Sequence, residues 1–165
     1  MKKNYSFVLI NFFRVTDPYS GASEVSFNFF KNIKSKNKKL FQFSDKKKKH
    51  KNVKSIIIKN SKIQKFLNLF KLSNEIIKYA SGKKNLIIIF EGASWIGYSF
   101  FVFIFLKNKL NKAKFIYHSH NIEYLLRKKN NNIFIQILTK FFEKYISYNF
   151  DIFTCVSKKD KKILK

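Results

Sequence analysis

The chain has one cysteine, Cys155, so no intrachain disulfide and no cysteine metal cluster can form. A reducing compartment fits that usage. It has one proline, Pro18, and four glycines. Neither the G-x-G-x-x-G fingerprint nor a Walker lysine loop can be assembled from them. Acidic residues are scarce, at 9 against 35 basic ones. Arginine is scarcer still: Arg14 and Arg127 stand alone among lysines. There is no internal repeat and no low-complexity linker. The first apolar run, Phe7 to Phe13, is short and is followed by Arg14, Asp17 and Pro18, without a small-residue cleavage site. It reads as a strand, not as a secretory leader.

What is present is apolar. Hydrophobic residues make up 45% and aromatics 18% of 165 residues, far from a disordered composition. The length suits one domain, residues 1–165, with a sizeable core. The net charge of +26 suggests a polyanion partner at first sight. However, Lys, Ile, Asn and Phe share AT-rich codons, so base composition accounts for the lysines. Nucleic-acid readers favour the arginine fork, so no specific nucleic acid is expected. Loose attraction to anionic lipid remains open, because each basic residue near such a surface contributes about 1 kcal/mol.

Apolar runs and helical spacings alternate along the chain. Strands are expected at residues 5–11, 39–44, 53–59, 86–90, 114–118 and 151–156. Between the first two, Ala22, Val25, Phe29 and Ile33 recur at helical spacing, with Ser23 as N-cap. Ser61 caps a helix carrying Ile63, Phe66, Leu67 and Phe70, with a break near Ser73 and a stop at Ser81-Gly82. Residues 94–110 and the stretch marked by Phe134, Leu138, Phe141, Phe142 and Tyr145 supply two more helices. Strands alternating with helices, several of them apolar throughout, mean an α/β domain: a Rossmann-like parallel sheet with helices on both faces. Ser157 to Asp160 reads as a capping box that opens a further helix, which implies structure beyond it.

Residues 86–106 carry one charge, Glu91, over a length that suits a membrane span. Glu91-Gly92 divides that run into a β-rich piece and a helix-length piece. A buried parallel strand followed by a buried helix has the same hydropathy, and it is the expectation here.

Ligands of such sheets sit beyond the carboxyl ends of the strands. The candidates there are Ser20 and Gly21, then Glu91 and Gly92, then His118, His120, Asn121 and Glu123. Gly21 at a helix start suits an anion, although on its own an ordinary turn glycine is the preferred reading. His118 and His120 point to the same side of an extended segment and could hold zinc, but no third ligand is evident, and no metal site is expected. His118 belongs to the strand and reads as structural. His120 lies just past it and reads as facing a cleft. Glu123 and Arg127 can pair across a helical turn. Cys155 reads as a buried thiol and Trp95 as packing, with sugar stacking as its alternative.

Three stretches, in order, resemble the N-terminal domain of glycosyltransferase family 4, an enzyme family of GT-B architecture. They are Asp17-Pro18-Tyr19-Ser20-Gly21-Ala22-Ser23-Glu24; Phe115 to Leu125 with its His120-Asn121 step; and Phe142 to Tyr145 followed by Asp151 to Asp160. The family often has two adjacent glycines in the first stretch, where Ser20 precedes Gly21 here. The resemblance implies the acceptor-side half of a retaining, nucleotide-sugar-dependent transferase. His120 would face the donor sugar as the catalytic histidine, and Gly21 would lie beneath the donor phosphates. Ser20, Glu91, Gly92, Asn121 and Glu123 would line the substrate site. It implies no cofactor and no metal. The donor is a substrate bound mainly by a second Rossmann domain absent from these residues, so activity would need that half, supplied in trans or by fusion. The implied acceptor is a glycan or a lipid-linked molecule. The implied place is the cytoplasm, with peripheral contact at the inner membrane face left open. The competing reading is a non-catalytic basic module that binds carbohydrate or a membrane surface.

Overall fold

The computed structural model describes residues 4–47, 49–59, 61–120 and 133–155. Their elements run β1 (Ser6–Asn11), α1 (Gly21–Asn32), β2 (Lys38–Ser44), β3 (Val53–Ile57), α2 (Lys62–Leu67), α3 (Leu69–Ala80), β4 (Leu86–Glu91), α4 (Ile96–Lys109), β5 (Lys114–Ser119), α5 (Ile133–Asn149) and β6 (Ile152–Cys155). The six strands form one parallel sheet in the order β3-β2-β1-β4-β5-β6. This is the doubly wound Rossmann order, and the chain reverses direction of growth between β1 and β4.

Side-chain alternation sorts the strands onto two faces. Val8, Ile10, Ile88, Phe90, Phe115 and Tyr117 pack with α3, α4 and α5 residues such as Leu72, Ile76, Phe103 and Ile146. Leu9, Leu40 and Ile89 face the other way and pack with Phe30 of α1. Val8, Leu9 and Ile10 in β1 have no exposed surface at all. That explains why the central strands read as unbroken apolar runs: both faces are covered. Burying each such side chain contributes about 1.5–3 kcal/mol.

The apolar run at residues 86–106 is β4 and α4, and no helix among the described residues is long and apolar enough to cross a membrane. Several local expectations shift. Helix α1 is capped by Ser20, not Ser23. The Ser20 hydroxyl accepts from the Ser23 amide while the Ser23 hydroxyl bonds back to the Ser20 amide, so Ser23 is the third helical residue of a capping box. The helix break falls at Asn68, not Ser73. The Asn68 amide and side chain both bond carbonyls of α2, whereas the Ser73 hydroxyl bonds the Leu69 carbonyl inside α3. Ser81-Gly82 does end α3, with Gly82 at φ 75°. Helix α4 starts at Ile96 behind Trp95, without a side-chain cap. Cys155, on the edge strand β6, is half-buried instead of buried, because no further described strand covers it.

Candidate functional site

In a parallel sheet all carboxyl ends share one edge, and the structure brings the predicted loops there. Gly21 opens α1 after β1, Gly92 follows β4, and His120 follows β5. Beside the switch point, Gln42 on β2 holds the β1–α1 loop in place. Its Oε1 accepts from the Val15 and Thr16 amides, and its Nε2 donates to the hydroxyls of Thr16 and Ser55.

The centre of the site is Glu91, the last residue of β4. It alternates onto the α1 face and is wholly buried. Its neighbour in register on β5 is His118. His118 Nδ1 donates to Oε1 at 3.1 Å, and His120 Nε2 donates to Oε2 at 2.6 Å. The Ser26 hydroxyl, from the second turn of α1, donates to the same Oε2 at 2.9 Å. Burial alone would raise the Glu91 carboxyl, but the hydrogen bonds and charges of the two histidines outweigh it and hold the group at about 2. The bond to Glu91 raises His118 above its ordinary value against the opposing pull of burial. A charge-assisted cluster thus joins β4, β5 and α1. Asn11, at the end of β1, lies on the same face one strand over. It is fully buried, and neither atom of its amide has a partner among the described residues.

A scan against protein-family models and a search of curated proteins find no match.

His118, on β5, is satisfied by Glu91 as a structural histidine would be, and it lies beside His120. Its ring packs against Phe29 of α1 and against His120, with centroids 5.7 and 4.9 Å away. Glu91, expected near a cleft, is sealed beneath the two histidines. Its pairing supplies the third ligand-type side chain that the sequence did not show. Ser20 is committed to the helix cap, while a Cβ on Gly21 would meet nothing, so its backbone is open to approach. The Gly92 amide donates to the His118 carbonyl at 2.8 Å, so it is not offered to a ligand. Asn121, Glu123, Arg127 and the Ser157 box lie outside the described residues. Trp95 packs, with its Nε1 donating to Thr139 and its ring against Tyr98 and Phe142, and it also lines a cavity of about 640 Å³ with Phe66 and Ile135.

Gly92 is needed for another reason. A Cβ there would lie 2.8 Å from both the His118 carbonyl oxygen and the Tyr117 hydroxyl. Gly92→Ala is expected to destabilise the fold by about 1–3 kcal/mol through overpacking between β4 and β5. Urea unfolding measures it, and an unchanged midpoint would refute the close approach.

The sequence reading missed a cavity of about 270 Å³ at the ends of β1, β2 and β3. Phe13, Arg14, Tyr19, Phe43, Asp45 and Lys65 are among its lining residues. Arg14 bonds Asp45 at 3.0 Å and lies over the Tyr19 ring, and its buried Nε has no partner. A cationic, aromatic-walled cavity at a strand edge suits a small polar molecule. Its members come from the β1–α1 loop, from the end of β2 and from α2, so only the sheet order reveals it.

Proposed function

We propose that the chain is the acceptor-side half of a retaining, nucleotide-sugar-dependent glycosyltransferase, with the donor-binding half supplied by a second Rossmann domain. The observation that supports this best is the Glu91–His118–His120 cluster at the carboxyl edge, beside the topological switch point. The resemblance in the three sequence stretches supplies the reaction class. In this reading Glu91 fixes the ring of His120, and His120 presents a positioned donor to the sugar or its leaving diphosphate. Such a hydrogen bond stabilises charge that develops in the transition state. The Arg14 cavity takes the acceptor, a glycan or lipid-linked molecule, and the open backbone at Gly21 approaches the donor phosphates. Place in the cell follows from the acceptor: the cytoplasm, at the inner membrane face where the acceptor is lipid-linked.

The test is reconstitution. With a second donor-binding domain added in trans or by fusion, sugar transfer is expected, and His120→Ala is expected to lower kcat by about 10²–10³. The chain alone is expected to show neither donor hydrolysis nor transfer. Unchanged activity in a folded His120→Ala complex would defeat the assignment, as would robust transfer by these 165 residues alone. The non-catalytic alternative, a basic module on an anionic surface, draws on the +26 charge. It predicts vesicle binding that falls steeply with salt and no transfer with any second domain.

A further inference from the structure

We propose that Glu91, His118 and His120 form a binding site for one divalent transition-metal ion of the zinc type. One ligand atom from each residue lies within 4.8 Å of the other two. Two imidazoles and one carboxylate are a donor set that zinc accepts with a fourth position left for water or substrate. Metal–ligand bonds of about 2.0–2.2 Å in a tetrahedron place ligand atoms roughly 3.3–3.6 Å apart. His118 Nδ1 lies 3.1 Å from Oε1 of Glu91 and His120 Nε2 lies 2.6 Å from Oε2, so the imidazoles flank the carboxylate, and the three ligand atoms, within 4.8 Å of one another, close onto one ion by a shift of about 1–1.5 Å. Imidazole ligands favour zinc, cobalt, nickel or copper over magnesium and calcium, which take oxygen.

The surroundings are those of a held site. Glu91 and His118 are register partners on adjacent strands, so their backbones are fixed. The Ser26 hydroxyl orients the carboxylate, in the way outer partners orient metal ligands. Asn11, buried and unpartnered on the same face, is available to a metal-bound water. The carboxylate is fully buried, while the His118 and His120 side chains remain 23% and 10% exposed, which leaves an entry path from the histidine side. The other histidine, His50, belongs to a different contact, facing Asp17 at 3.8 Å and the Phe27 ring.

The inference stands apart from the transferase reading: an ion held by these residues takes the place of the Glu91–His120 hydrogen bond which that reading uses, and metal binding is measured on the chain alone, without donor or acceptor. The experiment strips the tag-free chain with chelator and titrates it with Co²⁺, which reports its coordination in the visible spectrum. One Co²⁺ per chain is expected, with the absorption of a four- or five-coordinate site and displacement by Zn²⁺. Circular dichroism first establishes that each variant is folded, with His118→Gln and His120→Gln replacing an alanine variant that is not. His118→Ala and His120→Ala are each expected to weaken binding at least 100-fold, more than loss of an outer-shell partner does. His50→Ala is expected to leave it unchanged. A wild-type affinity weaker than about 1 mM, or binding unaltered in the folded His120 variant, would overturn the site.

Discussion

Replacing Glu91 with alanine is expected to destabilise the fold by about 3–5 kcal/mol, the range for breaking a buried charge pair. The carboxylate has no exposed surface and accepts three hydrogen bonds, from His118, His120 and Ser26. Alanine removes all three acceptor positions at once and leaves a void between β4, β5 and α1. The two imidazoles retain partial contact with solvent, which places the expected effect at the lower end of that range. Glu91→Gln keeps the volume and one acceptor oxygen, so its expected effect is smaller, about 1–3 kcal/mol. Urea unfolding of the two variants beside the wild type gives both numbers. A Glu91→Ala change below about 1 kcal/mol would mean that the cluster is not a structural joint between the two strands and α1.

Why the sheet was legible and this cluster was not is a matter of which information each needs. Residues 6–11 and 86–91 announce themselves because a strand covered on both faces has to be apolar at nearly every position. Ser61 and Gly82 were readable because capping chemistry is local. Ser20 and Ser23 were not separable, because either serine can stand at the cap and only the backbone angles decide. Glu91 is harder again. A lone glutamate at a strand end looks the same in sequence whether it is solvated or sealed. Its burial follows from β4 lying next to β5, which the sheet order sets and the local sequence does not. A usable signal did exist: a carboxylate ending one apolar strand, and a His-x-His pair ending the next. Alternation puts both histidines on one face. Adjacency of the two strands, the commoner outcome for consecutive strands, would then have placed Glu91 between them. The orphaned amide of Asn11 and the cavity beside Arg14 carry no such signal, since each depends on contacts across strands far apart in the chain.

The same cluster predicts how stability varies with pH in the chelated, metal-free chain. Glu91 is held at about 2 instead of its ordinary 4.5. A carboxyl whose folded value is depressed contributes stability that is fully present above its unfolded value and is lost as pH falls toward the folded one. The size follows from the shift: on the order of 3 kcal/mol, lost progressively between about pH 5 and pH 2. His118 acts with the opposite sign. Its folded value is raised by the bond to Glu91, so its contribution is fully present below its unfolded value, about 6.5, and is lost as pH rises through the folded one. Together the pair gives a maximum between about pH 5 and 6.5, with a steep acid limb and a shallower alkaline one. Other carboxylates also titrate in acid, so the informative quantity is the difference between the wild type and Glu91→Gln across a pH series of urea unfolding curves. That difference is expected to be largest in the window, to shrink by most of its value toward pH 2, and to shrink again above neutrality. His118→Gln is expected to abolish the alkaline limb and leave the part of the acid limb that His120 supports. Parallel pH profiles for the wild type and Glu91→Gln would show that the buried carboxylate does not carry its charge into the fold, and the charge-assisted cluster would have to be abandoned.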